Sequence, residues 1–270
     1  GTQMLAYIDD VREPRLYRLT AEADTVRLHT WSTDICSTDS ASMCDVLDKV
    51  KEHSKGCDRY DLVMSSHASG WLPASNRWRT RSFGIDNNRN SSTNSGVEMD
   101  VATLRDVIKT KFDRVGYIFF DACYMQCIEV AHTLRTVADY IVASPTEIPG
   151  AGANYTHMMP CLFAANAPAQ IVEQYYNDEV GSSYGGVVIS AVKTDETPAL
   201  AIAAQPIVQQ LCAGRTTPST SGVQAYRAYC SQAMYRPAYL DMWGLAMLTE
   251  DEAALAEFRR QLDRTVVAYH

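Results

Sequence analysis

An α/β fold with a mostly parallel central sheet follows from three features of this sequence. Short apolar runs alternate with segments whose apolar residues recur at helical spacing. One run, residues 115–120 (VGYIFF), is nearly all apolar, as a strand covered on both faces must be. No repeat of fixed period and no low-complexity tract competes with that reading.

Residues 4–10 (MLAYIDD) read as a first strand. Residues 25–31 (TVRLHTW) alternate apolar and polar side chains as a second, hairpin-paired with residues 15–19. Thr38, Asp39 and Ser40 are good caps, and Met43, Val46, Leu47 and Val50 line one face of a helix reaching about residue 55. Residues 61–65 (DLVMS) form a short buried strand. Between 73 and 95 the chain turns polar, which predicts a long exposed loop broken by a small strand near 83–85. A helix over 100–112 carries Val101, Leu104, Val107 and Ile108 on one face. After the apolar strand, 124–136 reads as helix, 140–143 as strand and 149–152 (PGAG) as a turn. Helices over 156–165 and 169–180 precede a strand at 186–192 (GVVISAV) and an Ala-rich helix at 198–212. Leu255, Phe258, Leu262 and Val266 recur at helical spacing in a last helix, 250–267. The polar stretch 214–222 (GRTTPSTSG) divides a main domain, residues 1–213, from a helical extension, residues 214–270, packed on the same domain.

With 270 residues, 46% of them hydrophobic, the chain can bury a sizeable core. Lys and Arg number 24 against 32 Asp and Glu, a formal net charge of −8. That balance argues against nucleic acid or an anionic membrane as the main partner, because both need a positive surface. No stretch approaches the 18 or so consecutive apolar residues of a membrane span. The eight cysteines are irregularly spaced and contain no C-x-x-C pair, so neither a disulfide framework nor a structural zinc site is indicated.

In open α/β sheets reactive groups collect at the carboxyl ends of strands. The strand at 61–65 runs through Ser66 into His67, and the strand at 115–120 runs through Asp121 and Ala122 into Cys123. If the two strands are neighbours, His67 and Cys123 emerge on one edge. A helix opening just after Cys123 would favour its thiolate, and an imidazole would shuttle the proton. Backbone amides at Ala68 and Cys123 would then hold a developing oxyanion. No G-x-S-x-G elbow and no Gly-rich phosphate loop offers a competing chemistry.

The residues around the pair resemble the clostripain-like cysteine peptidases, which belong to one clan with caspases, legumains and gingipains. The matching words are Ser66-His67-Ala68-Ser69-Gly70-Trp71, then Phe120-Asp121-Ala122-Cys123-Tyr124-Met125, and Glu129-Val130-Ala131-His132-Thr133-Leu134. Ala143-Ser144, the turn at 149–152, Tyr155 and the late Leu240-Asp241-Met242-Trp243 match as well. The resemblance implies a caspase-like three-layer sandwich and an endopeptidase with His67 and Cys123 as its catalytic dyad. It implies cleavage after Arg or Lys, peptide contacts from Asp121, Ser144 and Thr146, and export from a bacterial cell. A peptide or protein substrate and a monomeric state are expected. No cofactor is expected, although clostripain itself depends on calcium, for which Asp9 and Asp10 are the candidate acids.

Departures from the family pattern support a rival reading, a relative that keeps the fold and binds peptides without cutting them. Ala68 stands where Gly is usual, Ala151 where an acid is common, and Ala153 where Trp is common. The loop between the His and Cys segments carries Arg77, Arg79, Arg81 and Arg89, candidate sites for activating cleavage. Cys123 and Cys127, four apart, have the spacing of metal ligands but no evident partner, and packing is the better account of Cys127.

Overall fold

The computed structural model describes residues 2–10, 12–20, 24–71, 83–86, 97–182, 187–213, 219–226 and 239–270. The chain opens with three strands, β1 (Met4–Ile8), β2 (Arg15–Leu19) and β3 (Thr25–Thr30), which form an antiparallel sheet of their own. Buried Arg15 is paired there with Asp10 at 2.8 Å. Helix α1 (Ser40–His53) follows, its first amides at Ala41 and Ser42 capped by the Asp39 carboxylate. Strand β4 (Leu62–Ser65) then enters the central sheet, and β5 (Phe83–Asp86) pairs with β6 (Val97–Met99) as a small antiparallel ribbon.

Helix α2 (Val101–Phe112) leads to β7 (Val115–Asp121), all seven residues of which are buried. Helix α3 (Ile128–Leu134), β8 (Ala138–Ala143), α4 (Tyr155–Leu162), α5 (Ala167–Glu179) and β9 (Ser190–Lys193) come next. The remainder comprises α6 (Thr197–Cys212), the two-residue strands β10 (Ala225–Tyr226) and β11 (Tyr239–Leu240), α7 (Met242–Ala246), α8 (Glu252–Thr265) and β12 (Val266–Tyr269).

The central sheet has the order β12-β9-β8-β7-β4. Side chains of β7 alternate across it, as the two-residue period of a strand requires. Ile118 and Phe120 enter a core shared with Leu104 and Ile108 of α2 and Val130 and Leu134 of α3. Tyr117 and Phe119 enter a second core with Met158 of α4 and Ile171, Val172 and Tyr175 of α5. Two helical layers thus sandwich the sheet, which is why β7 is apolar without interruption. A third cluster joins α6 and α8 through Leu200, Ile207, Ala254 and Phe258.

Three expectations are corrected. The sheet is mixed rather than mostly parallel: β4, β7 and β8 run parallel, but β9 and β12 each pair antiparallel. The helix expected from residue 124 begins only at Ile128. The segment after residue 214 is not helical throughout, because residues 266–269 leave α8 and become the fifth strand of the central sheet.

Candidate functional site

Strands β4 and β7 are hydrogen-bonded in parallel, with Met64 opposite Phe120 and Ser65 opposite Asp121. His67 stands two residues beyond Ser65, and Cys123 stands two residues beyond Asp121. Both reactive groups therefore leave the same end of adjacent strands at matched register. His67 is exposed and Cys123 half-buried.

The chain does not enter a helix at Cys123. Tyr124 adopts φ +62°, and α3 begins only at Ile128. The intervening amides are drawn to the loop after β8, Tyr124 N–H donating to Thr146 O at 2.9 Å and Gln126 N–H to Ser144 O at 3.0 Å. In place of the expected help from a helix terminus, Ile148 N–H donates to Cys123 Sγ at 3.4 Å. A donor to sulfur favours the thiolate over the thiol.

On the histidine side, Gly84 N–H donates to His67 O at 2.8 Å, and Ala68 forms an isolated antiparallel bridge with Phe83. That bond makes Ala68–Phe83 the non-hydrogen-bonded pair of the bridge, so the Ala68 amide points away from β5. Ala68 is not among the residues with positive φ, and alanine therefore fits here without the strain that would demand glycine. Gly70 is different. Its φ is +87°, and a Cβ there would lie 3.0 Å from Tyr124 O.

Asp121 is 2% exposed. Its oxygens accept from Ala153 N–H at 3.0 Å, Tyr155 OH at 2.8 Å and Tyr175 OH at 3.4 Å. The carboxylate also packs on Gly152, whose φ of +67° and missing Cβ make the approach feasible. Burial and this carboxylate both push the Tyr155 and Tyr175 hydroxyls well above the usual phenol range. Ser144 and Thr146 are buried, their hydroxyls 3.0 Å apart, and Thr146 also donates to Glu147 O. Both side chains are engaged within the loop that carries the Ile148 amide. Ala151, where an acid is common in the family, sits in the turn beside Gly152.

Cys127 is half-buried, and desolvation pushes its thiol up to about 12, which disfavours the thiolate a nucleophile needs. Among the described residues no disulfide forms. Asp10 is paired with Arg12 and Arg15, while Asp9 accepts from Ser37 and Tyr7. Among the described residues no group of three or more His, Cys, Asp or Glu is arranged to hold a metal ion. Arg77, Arg79, Arg81 and Arg89 lie outside the described residues. A cavity of about 710 Å³ opens beside the reactive edge, with Trp71, Gln126, Cys127, Pro145, Tyr239 and Trp243 in its wall. Sequence reasoning missed Ile148, Tyr175 and Tyr239 as parts of this site. None carries a local motif, and only the packing brings them here.

The family model of the Clostripain family matches residues 1–268. A secreted C11 cysteine protease from Bacteroides thetaiotaomicron, solved with an irreversible peptide inhibitor, is 30% identical with a TM-score of 0.80. The match covers 99% of this chain and 74% of that one. An inactive zymogen C11 protease from Parabacteroides distasonis is 26% identical over 99% of this chain and 72% of that one, with a TM-score of 0.76. Among curated proteins no match is found.

Proposed function

The chain belongs to the clostripain family and is a cysteine peptidase, and from that premise we propose that it is an endopeptidase using Cys123 as nucleophile and His67 as acid–base partner. The observation that carries the assignment is the register of β4 and β7, with His67 and Cys123 each two residues beyond the Ser65–Asp121 pair. Cys123 Sγ attacks the scissile carbonyl carbon, and the thiol proton passes to His67. The carbonyl oxygen gathers negative charge, for which the Ala68 and Cys123 amides are the donors. As the tetrahedral species collapses, the C–N bond breaks and the leaving amine takes the proton from His67. An acyl-thioester remains. His67 then deprotonates a water that attacks the thioester carbon, releasing the acid and returning the proton to sulfur.

A preference for Arg or Lys at the cleaved bond belongs to the same proposal. Asp121 acts on a basic side chain through its charge, because its oxygens already accept from Ala153, Tyr155 and Tyr175. Ser144 and Thr146 act by shaping the wall beside the nucleophile. Equal cleavage of Arg, Lys and neutral substrates would remove this part. The kinship to a secreted protease supports export, and the kinship to a zymogen supports activation by cleavage within residues 77–89. Recovery of fully active, uncut protein after long incubation would exclude processing as a requirement.

The deciding experiment is reaction of the native protein with an irreversible peptidyl thiol reagent bearing Arg or Lys, followed by peptide mapping. Labelling confined to Cys123, absent in Cys123→Ala and lost in His67→Ala, is the expected result. Absent labelling, or labelling spread over the eight cysteines, would favour a relative that binds peptides without cutting them.

A further inference from the structure

Tyr239 stands where three segments far apart in sequence converge. Its hydroxyl donates to the backbone carbonyl of Ser69, two residues after His67. Its ring stacks on Tyr124, the residue after Cys123, with centroids 5.5 Å apart and planes 23° from parallel. Gly70 packs against the Tyr239 phenol and the Tyr124 backbone, and a Cβ there would come within 2.9 Å of the Tyr239 ring and 3.0 Å of Tyr124 O. One side chain from β11 thus touches the histidine loop and the nucleophile turn together.

We propose that Tyr239 is a positioning residue for the peptidase reaction, a brace that sets the His67 loop against the Cys123 turn. The inference rests on the assignment of His67 and Cys123 as the reacting pair. Three observations make the brace necessary. β4 is the edge strand, and its last ladder partner, Ser65, lies two residues short of His67. On one side the loop is fixed to β5 through Gly84 N–H and the Ala68–Phe83 bridge. On the side of the nucleophile turn, the Tyr239–Ser69 bond ties it, alongside the backbone of Trp71, which bonds to Cys127. Tyr124, meanwhile, is 2% exposed and holds a left-handed φ that tyrosine seldom adopts, so it needs neighbours that fix it. The stacked Tyr239 ring is one of them. Proton transfer between His67 and Cys123 depends on a separation that tolerates little error, and a misplacement of about 1 Å costs roughly 100-fold in rate.

The test is Tyr239→Phe, which keeps the stacked ring and removes only the hydroxyl that reaches Ser69. Two readouts are followed, peptide hydrolysis resolved into kcat and KM, and the pH dependence of Cys123 alkylation by iodoacetamide. The expected result is a fall in kcat of roughly 10- to 100-fold. KM and melting temperature stay close to those of the parent, and alkylation moves towards the pH profile of an ordinary thiol. Gly70→Ala, which drives a methyl group against the hydroxyl end of Tyr239 and the Tyr124 carbonyl, reproduces both changes and is the second variant should the first fail to fold. Parent-like kcat and alkylation in Tyr239→Phe would overturn the proposal, and so would an activity loss that merely tracks a lowered melting temperature. If the parent shows no His67-dependent alkylation of Cys123, the underlying dyad fails and the brace falls with it. A parent profile that depends on His67 but not on Tyr239 removes the brace alone.

Discussion

At the end of β7, the turn carrying Cys123 is held from several directions at once. The Tyr124 and Gln126 amides are bonded to the loop after β8, Ile148 N–H faces the sulfur, and Asp121 anchors the strand end to three donors. At the end of β4 the residues are exposed from Ser65 to His67, and the strand has a neighbour on one side only. The cysteine turn is thus tied into the core, whereas the histidine loop is clipped onto an edge. Catalysis needs both groups in register, so the two ends should fail differently. Damage at the first costs stability and activity together. Damage at the second costs activity with little change in stability.

The sharpest break comes from the reacting groups themselves. Cys123→Ala and His67→Ala each lower kcat/KM by about 10⁴-fold or more while melting temperature stays near that of the parent. A residual activity within 100-fold of the parent would dissolve the comparison. Next comes Asp121→Asn, which removes the charge and sets an amide N–H₂ against the Tyr155 or the Tyr175 hydroxyl in a buried site. Stability falls by about 3 kcal/mol, visible as a lower urea midpoint at unchanged m-value, and activity falls with it. Gly152→Ala is milder but of the same kind. A Cβ meets the Asp121 carboxylate at a φ of +67°, costing about 2 kcal/mol in the same unfolding assay.

Alkaline pH probes the covered tyrosines, two of which, Tyr155 and Tyr175, bond to Asp121. Burial raises the Tyr117, Tyr155 and Tyr175 hydroxyls above their ordinary value of 10.0, and Tyr226 is pushed up to about 12. In the unfolded chain these groups lose their protons first, so the folded state binds more protons at high pH. Their contribution is complete below pH 10 and is lost as pH rises through the folded values. Unfolding followed by near-ultraviolet circular dichroism should therefore show falling stability from about pH 10 upward. A flat profile across that range would contradict the burial of these rings. The smallest effect belongs to the histidine edge: Ala68→Gly changes kcat/KM by less than about 3-fold, because Ala68 has no positive φ to relieve. A large gain would mean that alanine there is a catalytic defect.

His67 and Cys123 could be singled out in the sequence because the words around them are local. A strand ending in Asp-Ala-Cys and another ending in Ser-His can be read without knowing what lies across the sheet. The apolar run of β7 likewise announced a covered strand. What escaped was whatever depends on distant partners. Residues 124–127 have helix-compatible composition, yet their amides are captured by carbonyls at Ser144 and Thr146, which delays α3 to Ile128. Residues 266–269 continue a helical pattern and become a strand through their pairing with β9. Periodicity carries no information on strand direction, so nothing in the sequence set the antiparallel β9 apart from the parallel strands. Tyr239 lies in no pattern at all, and its place is set by a stack and one hydrogen bond.

The fifth strand of the central sheet has a consequence for the order in which the molecule comes into being. β9 emerges from the ribosome long before residues 266–269, and until they arrive one of its edges has no partner. Translation therefore delivers the histidine and the cysteine early, the tyrosine that touches both their segments later, and the strand that closes the sheet later still. A nascent chain holds both halves of its chemistry well before it has the architecture to use them.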